Sequence, residues 1–185
     1  MTRRRFRMWA IATAVVLVLI AFVGGREYLR PKIGVGDKAP DFTTETHTGQ
    51  TVCLADYLGK QAVVVYFYPA DETPGCTTEA CAFRDAYADF VDAGAAVIGI
   101  SGDTLDSHRK FAANRRLPFL LVSDRDGALR SAFGVPKTLG LLPGRVTYVI
   151  DRQGIVRHIF SSQLNAGQHV TEALQIVRSL SQSES

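Results

Sequence analysis

Seven consecutive apolar and aromatic residues, Ala62 to Tyr68, end abruptly at Pro69, and this run limits the possible folds more than any other feature of the chain. A Val-rich stretch without polar alternation suits a strand covered on both faces, which requires helices above and below it. The sequence that follows provides them. Cys76 to Ala93 has helical spacing, with Ala80, Phe83, Ala86, Tyr87 and Phe90 on one side, Glu79, Arg84, Asp85 and Asp89 elsewhere, and Gly94 as the stop. Ala95 to Ile100 reads as a second strand, Leu105 to Arg115 as a second amphipathic helix and Phe119 to Val122 as a third strand. Ala128 to Phe133 reads as a short helix, Val146 to Asp151 and Ile155 to Phe160 as a pair across Arg152-Gln153-Gly154, and Val170 to Leu180 as a closing helix. Ahead of these, Phe42 to Thr44 and Thr51 to Leu54 flank the turn His47-Thr48-Gly49-Gln50. Alternating units followed by a hairpin and a last helix predict an α/β fold with a mixed central sheet flanked by helices.

Of the 185 residues, the first 30 read as separable, leaving 31–185 for one domain. Pro31, Gly34, Gly36 and Pro40 mark a linker, so the domain is expected to begin near Ile33. The formal charge of +3 is carried largely by Arg3, Arg4, Arg5, Arg7, Arg26, Arg30 and Lys32, opposed only by Glu27 in that stretch. The folded part is thus close to neutral and lacks the basic stripe that a nucleic-acid surface needs. Cys53, Cys76 and Cys81 are too few for a disulfide-stapled scaffold. His47, His108, His158 and His169 stand singly, which does not suit a structural metal site. Asp124-Arg125-Asp126-Gly127 lacks the later bidentate Glu of a calcium loop and reads as a turn into a helix. No Gly-rich phosphate loop is present, so neither metal nor cofactor is expected.

Met8 to Gly25 is free of charge, and Trp9 to Val23 is dominated by Ala, Val, Leu and Ile. Arginines precede this run and no clear small-x-small cleavage site follows it, which favours one uncleaved N-terminal transmembrane helix over 1–30. A cleaved export signal is the alternative, and Thr2-Arg3-Arg4-Arg5-Phe6 resembles a twin-arginine signal. On either reading the domain is expected on the extracytoplasmic side of a membrane.

The stretch that carries chemistry runs from Pro69 to Cys81, between the buried strand and a helix start. Helix N-termini leave backbone N–H groups unpaired and carry partial positive charge, so a first-turn cysteine has its thiolate stabilised. Cys76 occupies that place and is expected to ionise readily. Pro74 and Gly75 suit the sharp entry, Pro by fixing its backbone and Gly by allowing close approach, and Thr73 can offer a hydroxyl beside the sulfur.

The pattern Pro69-xxx-Thr73-xx-Cys76 resembles the active-site signature of the peroxiredoxins. Thr73-Pro74-Gly75-Cys76-Thr77-Thr78-Glu79-Ala80-Cys81 with Phe83-Arg84-Asp85 is similar to the bacterioferritin comigratory protein, or peroxiredoxin Q, type. The likeness continues through Ser101-Gly102-Asp103, His108-Arg109-Lys110-Phe111, Leu117-Pro118-Phe119, Ser123-Asp124 and Arg145 to Asp151, and departs at Ala70, where this branch often carries Lys. It implies a thioredoxin-like fold and a thiol-dependent peroxidase acting on hydrogen peroxide and organic hydroperoxides. Carried over by residue, Cys76 is the peroxidatic cysteine and Thr73 hydrogen-bonds thiolate and peroxide. Pro69 shields the pocket from water, and Arg145 holds the thiolate and polarises the peroxide. Cys81 is the implied resolving cysteine, forming an intramolecular disulfide with Cys76 that a thioredoxin-like or other thiol reductant reopens. A monomer or weak dimer is expected. Cys53, in an apolar strand-like run, is expected to be buried packing without a role.

The first rival is a membrane-tethered thiol–disulfide oxidoreductase. It usually needs Cys-x-x-Cys, and Cys76 has no cysteine three residues on. The second is a binding module that has kept the fold and lost activity, against which the set Pro69, Thr73, Cys76 and Arg145 argues.

Overall fold

The computed structural model describes residues 33–138 and 142–183. The central sheet has five strands: β3 (Ala62–Phe67), β4 (Ala95–Ser101), β5 (Leu120–Ser123), β8 (Val146–Ile150) and β9 (Val156–Ser161). Their spatial order is β5-β4-β3-β8-β9, so the all-apolar run seen in the sequence is the middle strand. Every residue of β3 is buried, as expected for a strand covered on both faces. β3, β4 and β5 are parallel, whereas β8 and β9 run antiparallel, with Phe67 opposite Ile100 on one side and Val146 on the other.

Two small hairpins stand outside this sheet: β1 (Thr43–Glu45) with β2 (Thr51–Cys53), and β6 (Lys137–Thr138) with β7 (Leu142–Pro143). The second is too short for any period to announce it in the sequence. The helices are α1 (Pro74–Asp85), α2 (Tyr87–Asp92), α3 (Leu105–Arg115), α4 (Ala128–Ala132) and α5 (Ala166–Ser183). The single helix predicted over Cys76 to Ala93 is therefore two, broken at Ala86 (φ −94°, ψ 6°). The break leaves Phe83 and Phe90 facing one another with ring centroids 5.8 Å apart, so both join the apolar layer on the α1 side of the sheet.

Alternation along β3 divides the core into two layers. Val64 and Tyr66 meet Phe83, Phe90, Phe111 and Phe119 on one face, while Val63, Val65 and Phe67 meet Phe133, Tyr148 and Ile150 on the other. Tyr66 stacks on Phe83 at 4.5 Å between centroids, which seats α1 directly above the middle strand.

The expected transmembrane helix is a correction. Among the described residues no helix is long and apolar enough to cross a membrane, and the 1–30 segment on which that expectation fell lies outside them. The longest described helix, α5, carries Glu172, Gln175 and Arg178 beside its buried Val170, Ala173 and Val177, the pattern of a helix lying on a protein core.

Candidate active site

Cys76 occupies the third position of α1, behind Pro74 at the first and an extended Thr73 at the N-cap (φ −71°, ψ 146°). Proline is suited to that position because the N–H it lacks has no partner within the helix. Cys76 is only 1% exposed, and its sulfur accepts a hydrogen bond from Arg145 Nη2 at 3.2 Å. Arg145 lies one residue ahead of β8 and reaches α1 because β8 pairs with β3, the strand that feeds the helix. A Cβ on Gly75 would stand 3.3 Å from Arg145 Nη2, so glycine here gives the guanidinium its close approach.

The other arm of the guanidinium, Nη1, donates to Glu79 Oε2. Glu79 follows Cys76 by three residues on α1, and both groups thus meet one cation from the same helix face. Glu79 is fully buried, and that burial pushes its carboxyl up to about 8 against the opposing pull of Arg145. Arg145 is buried as well. Burial works against its charge, while Glu79 and Cys76 more than restore it.

His169 of α5 lies beside this pair, its Nδ1 3.6 Å from Glu79 Oε1. Its Nε2 lies 2.9 Å from the Ser162 carbonyl, which can only accept, so that nitrogen carries the proton and Nδ1 receives the Thr147 hydroxyl at 2.8 Å. Burial pushes this imidazole down to about 4, so the ring is a neutral spacer. Arg145 is then the cation shared by the sulfur and the carboxyl.

The loop between β3 and α1 is fastened to α3. Asp71 accepts from Tyr68 Oη at 2.7 Å, Ser107 Oγ at 2.7 Å and His108 Nδ1 at 2.9 Å. Burial alone would raise the Asp71 carboxyl, but these donors bring it below its ordinary value. Glu72, in the left-handed region at φ 57°, accepts from Asn114 Nδ2 at 3.0 Å and Arg115 Nη2 at 2.5 Å. A non-glycine residue held there is strained, and the paired α3 donors fix it in place.

The sequence-predicted residues are therefore placed as follows. Cys76 and Arg145 are in contact. Pro69 is half-buried where β3 ends, and Thr73 is exposed with its hydroxyl donating to Ala70 O at 3.1 Å, which leaves its oxygen lone pairs free to accept. Cys81 is half-buried farther along the same unbroken helix, and both thiols are free. Cys53 is a correction: it is half-exposed on β2, with its sulfur 3.9 Å from Asp41 Oδ1, because the short β1–β2 hairpin leaves that face of the strand uncovered. Asp124 caps α4, accepting from the backbone N–H of Leu129 and of Arg130 at 2.9 Å each, as the turn reading expected. The residues missed from the sequence are Glu79, Thr147 and His169. The i, i+3 spacing of Glu79 from Cys76 was the one available signal.

Gly144, next to Arg145, has no room for a side chain, since a Cβ would fall 2.1 Å from the Pro136 carbonyl oxygen. Gly144→Ala must displace backbone on one side or the other, and overpacking of this kind costs about 1–3 kcal/mol or more. A lowered urea midpoint together with slower peroxide reduction is expected, and an unchanged midpoint would show that this turn yields freely.

Residues 35–159 match the AhpC/TSA family. The chain is 51% identical over 150 residues to a chloroplastic peroxiredoxin Q of Triticum aestivum, covering 80% of this chain and 69% of that one. It is 49% identical over 150 residues to the chloroplastic peroxiredoxin Q of Sedum lineare, covering 80% of each. Among solved structures, peroxidoxin BcpB from Mycobacterium tuberculosis superposes with a TM-score of 0.74 at 38% identity, over 80% of this chain and 98% of that one. Xanthomonas campestris peroxiredoxin Q superposes with a TM-score of 0.70 at 30% identity, over 76% and 91%. A thioredoxin-like scaffold presenting a buried thiol to a guanidinium at a helix start is, with these relatives, a thiol-dependent peroxidase. The chain belongs to the AhpC/TSA family, in its peroxiredoxin Q branch. The oxidoreductase rival falls away with this assignment. The expected membrane-anchored, extracytoplasmic placement is a correction: the Triticum aestivum and Sedum lineare relatives are named as chloroplastic proteins, and among the described residues no helix is long and apolar enough to cross a membrane.

Proposed function

We propose that Cys76 is the peroxidatic cysteine and that Cys81 resolves its oxidised form through an intramolecular disulfide. The observation that carries this reading is the 3.2 Å approach of Arg145 Nη2 to a buried sulfur in the first turn of α1. There the guanidinium and the unpaired helix N–H groups both favour the anion. The Cys76 thiolate attacks the terminal peroxide oxygen, a sulfur–oxygen bond forms as the oxygen–oxygen bond breaks, and the departing alkoxide or hydroxide takes up a proton. The product is the sulfenic acid. Arg145 neutralises charge developing on the oxygens, Thr73 accepts from the peroxide hydrogen, and Pro69 excludes water from the sulfur. Cys81 then attacks the Cys76 sulfur with loss of water, and a dithiol reductant of the thioredoxin type returns both thiols.

Hydrogen peroxide and organic hydroperoxides are the proposed substrates. The bacterioferritin comigratory protein of Xanthomonas campestris has been described in terms of alkyl peroxide reduction. Leu142 and Leu164 are exposed on segments joined by the Gln163 to Pro143 O hydrogen bond, next to Arg145, and offer an alkyl chain an apolar rim.

The test is peroxide consumption with a dithiol reductant by wild type, Cys76→Ser and Cys81→Ser, for hydrogen peroxide and an alkyl hydroperoxide. Cys76→Ser is expected to consume neither. Cys81→Ser should complete one turnover and stop at a sulfenic acid that can be trapped by a carbon nucleophile. Activity surviving in Cys76→Ser would end the proposal.

A further inference from the structure

The β3–β8 ladder ends at Phe67 opposite Val146; beyond it come Tyr68 and Pro69 on one strand and Arg145 and Gly144 on the other, and Arg145 is the residue that contacts the Cys76 sulfur. Proline has no N–H to extend the ladder. The carbonyls of Tyr68 and Gly144 are instead both bonded by one side chain, Arg130 of α4, with Nη2 donating to Tyr68 O and Nη1 to Gly144 O at 3.1 Å. Arg130 is itself held firmly. Its backbone N–H donates to the buried carboxylate of Asp124 at 2.9 Å, and its guanidinium carbon lies 5.7 Å from the centre of the Phe67 ring. Burial lowers its basicity, and the surrounding acidic groups, Asp124, Cys76 and Asp103 among them, offset this only in part.

We propose that Arg130 is a positioning residue for peroxide reduction, its two-pronged guanidinium fixing the spacing between the chain leaving β3 at Tyr68 and the segment that delivers Arg145 to Cys76. A guanidinium suits this because its donors lie in one plane at fixed separation, so it sets a distance between two acceptors that a single ammonium cannot set. Misplacing Arg145 by a fraction of an ångström weakens a contact made at 3.2 Å, and displacements near 1 Å in a reacting geometry cost about 100-fold. The proposal rests on Cys76 and Arg145 carrying the peroxide step.

The experiment compares wild type, Arg130→Lys and Arg130→Gln in pre-steady-state reduction of hydrogen peroxide, with thiolate absorbance titration and thermal unfolding on the same samples. Lysine keeps the charge and loses the fork, and glutamine loses both. Both variants are expected to react about tenfold more slowly or worse. Compared at a pH where the titration shows the thiol fully ionised in every sample, Arg130→Lys should still react more slowly than wild type, which separates lost geometry from lost ionisation. Rate constants within twofold of wild type in both variants, whatever happens to the melting temperature, overturn the proposal, as does failure of both to fold, which would make Arg130 a scaffold residue only. Cys76→Ser in parallel keeps the outcomes distinct. If it retains activity, the assignment of Cys76 has failed, and if it is inactive while the Arg130 variants match wild type, only the role of Arg130 has failed.

Discussion

Arg145→Gln is expected to slow the reaction of Cys76 with peroxide by about 100- to 1,000-fold, the usual effect of removing one preorganised donor from a site of developing negative charge. The substitution also strands Glu79, which is buried together with Arg145. Removing one partner of a buried pair costs about 3–5 kcal/mol when the survivor stays charged. Glu79 can avoid much of that cost by holding a proton, since burial has already pushed its carboxyl from 4.5 to about 8. The pH dependence follows. Between those two values the folded state binds a proton that the unfolded chain has given up, so stability falls as the pH rises from 4.5 through about 8. Loss of Arg145 should raise the folded-state value further and extend the decline into more alkaline solution. Urea unfolding at pH 6 and pH 9 should show a small defect in Arg145→Gln at the lower pH and a large one at the higher. Stopped-flow kinetics within threefold of wild type would remove Arg145 from the chemistry.

The second large effect is expected in the wild-type protein on oxidation. In an unbroken helix, alpha carbons five residues apart lie about 8 to 9 Å from one another and point some 140° apart, whereas a disulfide requires about 7 Å or less with the side chains facing. Cys76 and Cys81 both belong to α1, which runs unbroken from Pro74 to Asp85. Their union must unwind the first turns of α1, drawing Glu79 and Ala80 out of fully buried positions. Amide hydrogen exchange should report this as a loss of protection over the α1 segment in the oxidised protein, with β3 and β4 still protected. Equal protection of α1 in both states, with the disulfide verified by mass, would require the bond to form by another route.

Much of this was legible in sequence because the decisive signals are local. The unbroken apolar run of β3, the stop at Pro69 and the Thr-x-x-Cys entry to a helix each report on a few neighbouring residues, and the structure keeps all of them. Glu79 was not legible as a buried group. Helical spacing sets it apart from Ala80 and Phe83, on what looks like the polar side of α1, and only the arrival of Arg145 from 66 positions away and of α5 from behind turns that side inward. Arg130 was hidden for the same reason, as its partners are main-chain carbonyls that no pattern of side chains announces. The break at Ala86 was missed because alanine is the strongest helix former, and the break is set by tertiary packing of Phe83 and Phe90. Thr73 stands at the N-cap of α1, and the commitment of its hydroxyl hydrogen to Ala70 depends on a loop geometry that the sequence does not display.

The seating of α1 on the middle strand has a bearing on how this enzyme fails. Phe83 is stacked against Tyr66, so in the proposed cycle a sulfenic acid on Cys76 would have to wait for a well-packed segment to come loose before Cys81 could reach it. During that wait a second molecule of oxidant can carry the sulfur on to the sulfinic acid, from which the dithiol cycle does not recover it. In that cycle the tightness of one aromatic stack would act as a clock, setting how much oxidant the protein could meet before it is spent.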